Sequence, residues 1–473
     1  MRKNVLLSTD SYKISHHLMY PEDMDYMYDY GEAREGGKWR EAVFFGMQIF
    51  IKEYLLIPFT KDDLEEARAF YANHFLPVYE GKVFDYEMFK YILEEHGGYF
   101  PVRIKAVPEG MVIPESNVLY TIESTDPRCA SVVSFLETAL LRAVWYGTTV
   151  ATNSYQMKKT IKEFGESTSD DLSWMPFALH DFGARGVSSS ESALIGGGGH
   201  LSNFMGSDTI EAIYGMQKLY GVKEGLPGYS VHASEHSVMG SRGRDGEFDV
   251  VRDIFKIAAK PGGIFSIVND TYDMEAHVTW VCENLKDELL ASGARWVTRP
   301  DSGNPSVSVL TCLDILWKYF GGTINSKGYK VLNPCVRVIQ GDGINADEVY
   351  NVLVNVMVSG FSTENVVFGS GGGLLQQVNR DTLRFAQKAS YIEVNGEGRD
   401  IFKEPKTDTT KKSKKGKISL YRYNDDSRYI TLAEEEAEKA KGWVTEVLVP
   451  VYENGKLLKD YTLDEVRANT CLW

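Results

Sequence analysis

Four times between residues 264 and 373 a short apolar run, long enough for one buried strand, ends on a turn bearing glycine or aspartate: IFSIVNDTYD, ARWVTRPDSG, VRVIQGDG and VVFGSGGG. Between these runs lie stretches of helical period, AHVTWVCENLKDELLAS, VSVLTCLDILWKYF and ADEVYNVLVNVMVSG, which can cover the strands with an amphipathic face. The strand starts fall about 30, 42 and 30 residues apart, the length of a strand-helix-strand unit, and such units make parallel sheets. Their number favours a closed β/α barrel and leaves an open sheet available. ALHDFGARGVSS and GYSVHASEHS upstream are two further candidate strand ends. Both architectures bind ligands at the carboxyl ends of the strands. That rim carries Asn269, Asp270, Arg299, Asp301, Gly341, Asp342 and the glycines of 369–373.

Residues 1–150 read differently. Strand-like pieces (VRIKAVPEGMVIP, NVLYTIES) mix with helical ones (TKDDLEEARAFYANHF, FDYEMFKYILEEHG) without regular alternation, as in an α+β region. After residue 377 the composition shifts again. Residues 377–417 hold eleven Lys/Arg, Lys411 among them, against six acids, and an acidic AEEEAEKAK follows at 433–441. KKSKKGK alone would fit a solvated loop or a nucleic-acid patch. The whole chain carries 51 basic and 66 acidic residues, a net of −15, and the stretch lacks interleaved aromatics, so nucleic acid and anionic membranes are disfavoured as partners. No apolar run reaches the ~18 residues of a membrane-spanning helix, and the N-terminus lacks a secretory apolar region. The five cysteines are scattered without C-x-x-C spacing, which suits a reducing, cytoplasmic setting and disfavours a zinc cluster.

Several motifs could carry chemistry. GSGGG at 369–373 follows a strand and precedes LLQQVNR, which can start a helix; exposed N–H groups there would cradle a phosphate, with Arg380 one or two helical turns later, or simply make a tight turn. RPDSGNP at 299–305 offers a guanidinium for phosphate and a carboxylate for ribose hydroxyls or hydrated Mg²⁺; an internal Arg299–Asp301 ion pair is the alternative. QGDG repeats the theme with Asp342. In HDFGARG, Phe182 and Arg185 could set an aromatic platform beside a cation, although Phe182 would serve equally as core. In ASEHS, His236 adjoins Glu235; a lone histidine is more often structural than catalytic.

Taken in order, TDSYK (9–13), KAVPEG (105–110), ATNS (151–154), HDFGARGVSS (180–189), RPDSGNP (299–305), NSKGYK (325–330), RVIQGDG (337–343), FGSGGGLLQ (368–376) and SKKGK (413–417) resemble the nicotinate/nicotinamide phosphoribosyltransferase family at its nicotinamide branch, from about residue 5 to 465. The resemblance implies a TIM-like β/α barrel at 151–385 carrying the site, joined to an α+β domain built from 1–150 and 386–473, with a basic loop at 403–417. It implies phosphoribosyl transfer from phosphoribosyl pyrophosphate to nicotinamide, with Mg²⁺, with ATP as co-substrate through a phosphohistidine, and in a homodimer with shared sites. Phe182 and Tyr12 of the partner subunit would sandwich the pyridine, and Asp208 would accept from the carboxamide and repel nicotinate. Arg185 and Arg299 would hold phosphate and Asp301 the ribose hydroxyls. Gly341, Asp342, Gly371 and Gly372 would surround the 5′-phosphate and ribose, while Arg34, Arg380, Lys388 and Lys403 would grip pyrophosphate. His236 would take the phosphoryl group, oriented by Asp270 and Glu235. His232, Ser234 and Ala184 depart from the pattern near the channel to the ring pocket. The nicotinate-specific sister activity, and a non-catalytic binding protein on the same scaffold, are the competing readings.

Overall fold

Seven short strands form the parallel sheet that positions the site: β1 (Leu179–Asp181), β2 (Gly206–Ser207), β3 (His232–Ala233), β4 (Ile264–Val268), β5 (Arg295–Arg299), β6 (Val336–Gln340) and β7 (Val366–Ser370). In this computed structural model, which describes residues 4–406 and 412–472, they pair in the order β2-β1-β7-β6-β5-β4-β3. A parallel bridge from Gly206 to Tyr229, just before β3, joins the two outer edges, with Ser207 N–H donating to the Tyr229 carbonyl at 3.1 Å. The ring therefore closes with its strands in sequence order, the barrel of the two architectures left open by the repeat count. β4 to β7 are mostly buried, as strands covered on both faces must be.

The helices start where short polar side chains dictate. Ser189 caps α1 (Ser190–Leu201). Asp273 caps α4 (Met274–Asn284), which follows α2 (Ile210–Leu219) and α3 (Glu247–Ala258). Asn304 caps α5 (Pro305–Phe320), whose proline stands in the first turn, and Asn345 caps α6 (Ala346–Val358) through two N–H groups. Each of these caps satisfies orphan donors of a first turn, which gives the loops before these four helices a defined end. One helix ends early. The stretch after GSGGG is helical only over Gly372–Leu375, and Arg380 lies on no helix: the Asn379 side chain accepts from the N–H groups of Asp381 and Thr382 at 2.8 and 3.1 Å, an asparagine turn that outcompetes the next helical turn.

The chain divides into two compact units. The barrel unit comprises Asn153–Lys218 and Glu224–Gln377; the other comprises the chain up to Thr152, Leu219–Lys223 and Val378–Cys471. In this second unit an antiparallel sheet interleaves both ends of the chain. Met24–Ala33 lies between Phe385–Val394 and Val118–Ser124, and Val102–Ala106 pairs Val449–Glu453. Lys411 of the basic stretch falls outside the described residues. Among the described residues no helix is long and apolar enough to cross a membrane.

Candidate active site

At the rim, three strand ends and one glycine define a single small space. A Cβ placed on Gly341, after β6, would lie 3.2 Å from Asp301 Oδ1 and 3.5 Å from both Arg299 Cδ and the Phe182 ring. At Gly369 in β7 it would meet the Phe182 ring at 2.0 Å, so only glycine there lets the ring lie across the strand. Arg299 and Asp301 approach to 3.8 Å, yet Arg299 Nε is buried without a hydrogen-bond partner. A loose ion pair with an orphaned guanidinium N–H leaves a donor for a ligand anion. Burial pushes the Asp301 carboxyl up, against the pull of Arg299 and with the push of Asp270.

His236 opens a short helical turn after β3 and is 47% exposed on its side chain, while Asp270, at the end of β4, is 7% exposed. His236 Nε2 and Asp270 Oδ1 lie 3.0 Å apart. The other Asp270 oxygen accepts from Asp301 N–H at 3.1 Å and the Ser302 hydroxyl at 2.5 Å. Burial alone would raise this carboxyl, but the bonds from Ser302, His236 and the Asp301 amide hold it below the usual carboxylate range. A neutral ring that donates Nε2–H to Asp270 leaves the Nδ1 lone pair free; Nδ1 faces Asp301 Oδ2 at 4.0 Å. Glu235 does not reach the imidazole: its carboxylate accepts from Ser237 instead, so Asp270 is the observed orienting group.

Below the rim a cavity of about 290 Å³ runs into the barrel. Phe182, His180, Asp208 and Arg299 line its upper part, Val231, Val297, Ile339 and Val367 its walls, and Arg295 and Arg337 its far end. Ser230 donates to Asp208 Oδ1, fixing a carboxylate on the chamber wall, which carries three arginines elsewhere. Burial lowers the pKa of His180, opposed by Asp208, so a neutral imidazole faces the chamber. Asp342 and Arg185 are solvent-exposed, and at the β7 turn Gly372 leaves open backbone, while a Cβ on Gly371 would lie 3.4 Å from the Phe182 carbonyl oxygen. The departures from the family pattern lie on β3 and the β1 turn. Ser234 is buried, its hydroxyl accepting from Val268 N–H at 3.0 Å, whereas His232 is exposed and Ala184 half-buried.

The remaining expected residues belong to the other unit. Lys388 pairs with Tyr30 across two strands, and Arg34 Nε donates to the Arg384 carbonyl at 3.0 Å. Burial lowers the Lys388 pKa; Glu137 opposes this, and Lys403, Arg34 and Arg380 reinforce it. Four cations thus crowd one another. Tyr12 is exposed, edge-on to His16 at 4.8 Å.

Sequence reasoning missed Ser230, Ser302, His180 and strand β2. Ser302 was readable as part of RPDSGNP; Ser230 and β2 carry no local signal, since two residues make no period. The five cysteines are free thiols. Among the described residues one His/Asp/Cys group has metal-ligand spacing, His96, Asp126 and Cys129, but Arg128 N–H, Tyr91 OH and His96 already occupy the Asp126 carboxylate.

A rim that gathers an orphaned arginine, paired carboxylates and an aromatic ring over glycine turns can hold a phosphate, sugar hydroxyls and a flat ring together. The chain matches the model of the nicotinate phosphoribosyltransferase (NAPRTase) family over residues 177–441, and that of the nicotinamide phosphoribosyltransferase N-terminal domain over 4–104. It is 45% identical over 469 residues to the nicotinamide phosphoribosyltransferase of Xanthomonas campestris, covering 98% of both chains, and 32% identical over 500 residues to that of Acinetobacter baylyi, covering 98% and 97%. The fold matches human nicotinic acid phosphoribosyltransferase with a TM-score of 0.60 at 15% identity, over 98% and 93% of the chains. It matches nicotinate-nucleotide pyrophosphorylase of Pyrococcus furiosus at 0.64 and 16%, over 99% and 94%. The chain belongs to the nicotinate phosphoribosyltransferase family.

Proposed function

We propose that the protein transfers the phosphoribosyl group of phosphoribosyl pyrophosphate to nicotinamide, giving nicotinamide mononucleotide and pyrophosphate in pyridine-nucleotide salvage. The observation that carries this reading is Asp208, an anion on the chamber wall that also holds the Phe182 ring. It can accept from a carboxamide NH₂, whereas a carboxylate ligand would meet a like charge in a partly desolvated site, at a cost of several kcal/mol. The 45% identity to a relative of that name over nearly the full chain supports the same choice.

In the reaction the pyridine nitrogen lone pair forms the new bond to the anomeric carbon as the carbon–oxygen bond to pyrophosphate breaks, its electron pair leaving with pyrophosphate. No proton need move. The residues therefore act by position and charge. Phe182 would stack on the ring, with Tyr12 of the partner subunit on its other face. Arg299 and Arg185 would hold phosphate, Asp301 the ribose hydroxyls, and Gly341, Asp342, Gly371 and Gly372 the 5′-phosphate and ribose region. Arg34, Arg380, Lys388 and Lys403 would receive pyrophosphate, which would relieve their mutual repulsion.

Mg²⁺ fits the donor set, because Asp301 and Asp342 offer hard oxygens without a closed cage, and this ion keeps several waters and binds through phosphate oxygens. When bound it neutralises charge on the departing pyrophosphate. His236 Nδ1, its ring held by Asp270, would attack the γ-phosphorus of ATP with release of ADP. A homodimer with shared sites follows from the family resemblance.

Purified protein supplied with phosphoribosyl pyrophosphate, Mg²⁺ and either ring substrate tests the reading. Mononucleotide from nicotinamide is expected. Turnover of nicotinate alone would transfer the assignment to the sister activity, and no turnover of either ring would favour a non-catalytic binding protein.

A further inference from the structure

Asp181 ends β1 between two residues that line the chamber, His180 and Phe182, and its own side chain is fully buried. Alternation along a strand sends it the other way, toward α1. There a Cβ on Gly197 would lie 3.1 Å from Asp181 Oδ2 and 3.4 Å from the Thr209 methyl; the carboxylate occupies space that glycine vacates. Oδ1 accepts from Gly183 N–H at 2.7 Å, and the Asp181 carbonyl accepts from Asp208 N–H at 2.9 Å. One residue thus ties down both the turn that presents the aromatic ring and the turn that presents Asp208. Its bonding is incomplete. Asp181 Oδ2 and the neighbouring Thr209 hydroxyl are both buried without a partner. A hydroxyl beside a carboxyl can donate to it when it is ionised and accept from it when it is protonated, so this pair can hold the group in either state.

We propose that Asp181 is a positioning residue that also sets ring specificity: a second buried carboxyl behind Asp208, whose ionisation strengthens rejection of a carboxylate-bearing pyridine and leaves the amide untouched. This rests on the nicotinamide reading above and deepens it. The titratable neighbours are few. From α1 the facing residue is Gly197, from β7 the main chain at Ser370, and from the β2 turn Thr209 and Asp208. His180 points to the opposite side of the strand. Burial raises the Asp181 carboxyl to about 6, opposed by the Gly183 N–H bond and by the nearby Thr209 hydroxyl and assisted by Asp208. The group is therefore ionised above about pH 6 and neutral below. Preference for nicotinamide over nicotinate should grow as pH rises through that value.

The test is the ratio of kcat/KM for nicotinamide over nicotinate from about pH 5 to about pH 8, measured on the full-length wild type and on Asp181→Asn. The substitution keeps an acceptor for Gly183 N–H and places a donor beside Thr209, mimicking the neutral form. The wild-type ratio is expected to rise about five- to tenfold across the range, through KM for nicotinate rather than kcat. Asp181→Asn should hold it flat at the low value, while His180→Gln retains the rise. A rise that persists in Asp181→Asn, or a flat wild-type ratio, overturns the proposal. Calorimetric affinities for the two rings give the same ratio without turnover, so absent mononucleotide synthesis would count against the nicotinamide reading and leave the Asp181 claim decided by binding.

Discussion

The barrel rim and the cation cluster around Lys388 in the other unit solve the same problem, holding multiply charged groups, in opposite ways. At the rim two carboxylates are met by donors: Asp270 receives three, and Asp208 receives Ser230. In the other unit Lys388 stands among Arg34, Arg380 and Lys403, and its charged form is disfavoured by burial and by their repulsion. The rim is preorganised, with its geometry set before substrate arrives. The cation cluster holds unrelieved repulsion that an anion removes. Preorganised dipoles act on the transition state, whereas mutual repulsion relieved by binding acts on affinity. The two regions should therefore fail differently.

The largest effect is expected at Arg299, whose Nε is the orphaned rim donor. Arg299→Ala should lower kcat/KM by about 10³-fold, with the fold retained by circular dichroism; a loss confined to KM would erase the distinction. His236→Ala should lower ATP hydrolysis, and with it the stimulation of transfer by ATP, by about 10²-fold. Unchanged ATPase activity would remove His236 from that role.

The third prediction concerns stability. Asp29, buried in the interleaved sheet, accepts from Gln387 at 3.0 Å while its other oxygen lacks a partner. Burial pushes it up to about 6, against the Gln387 bond. Because the folded state then holds its proton more tightly than the unfolded chain, folding stability falls as pH rises from about 4 to about 6, and the cost is complete above that. Asp29→Asn should accordingly stabilise by ~2 kcal/mol at pH ~8 and by almost nothing at pH ~4, read by urea denaturation. Equal effects at both values would show that the carboxylate is not strained.

The smallest effect is expected from Lys388→Met. The KM for phosphoribosyl pyrophosphate should rise about tenfold and become less sensitive to salt, while the KM for nicotinamide stays put. A matching fall in kcat would mean that the cluster, too, is built for the transition state.

Much of the barrel was legible because its rules are local. An apolar run of five residues, a polar cap such as Asn304 or Asn345 and a proline in the first turn each report on their immediate neighbours. The rim residues follow from strand position, so Asp270, Arg299, Asp301 and Asp342 could be named before any coordinates. Strand β2 could not, since Gly206–Ser207 is held by its pairing alone. Nor could the fate of Arg380: both a helix and an asparagine turn suit the local sequence, and the Asn379 bonds decided it. The partner of Asp29 lies 358 residues away along the chain, beyond any periodicity.

The amino-acid order by itself determined the parallel strand-helix repeat, the location of chemistry at its strand ends and the kinds of group available there, because hydrophobic period and capping depend on residues within a few turns of one another. Tertiary structure alone decided which charges are answered and which are left open. The seven strands close into a barrel, Asp270 rather than Glu235 holds His236, Arg299 keeps a free donor, one oxygen of Asp181 is left without a bond behind Asp208, and three cations from separate segments gather around Lys388. Each of these depends on a few ångströms between segments far apart in the chain, and electrostatic energy varies with that distance and with burial.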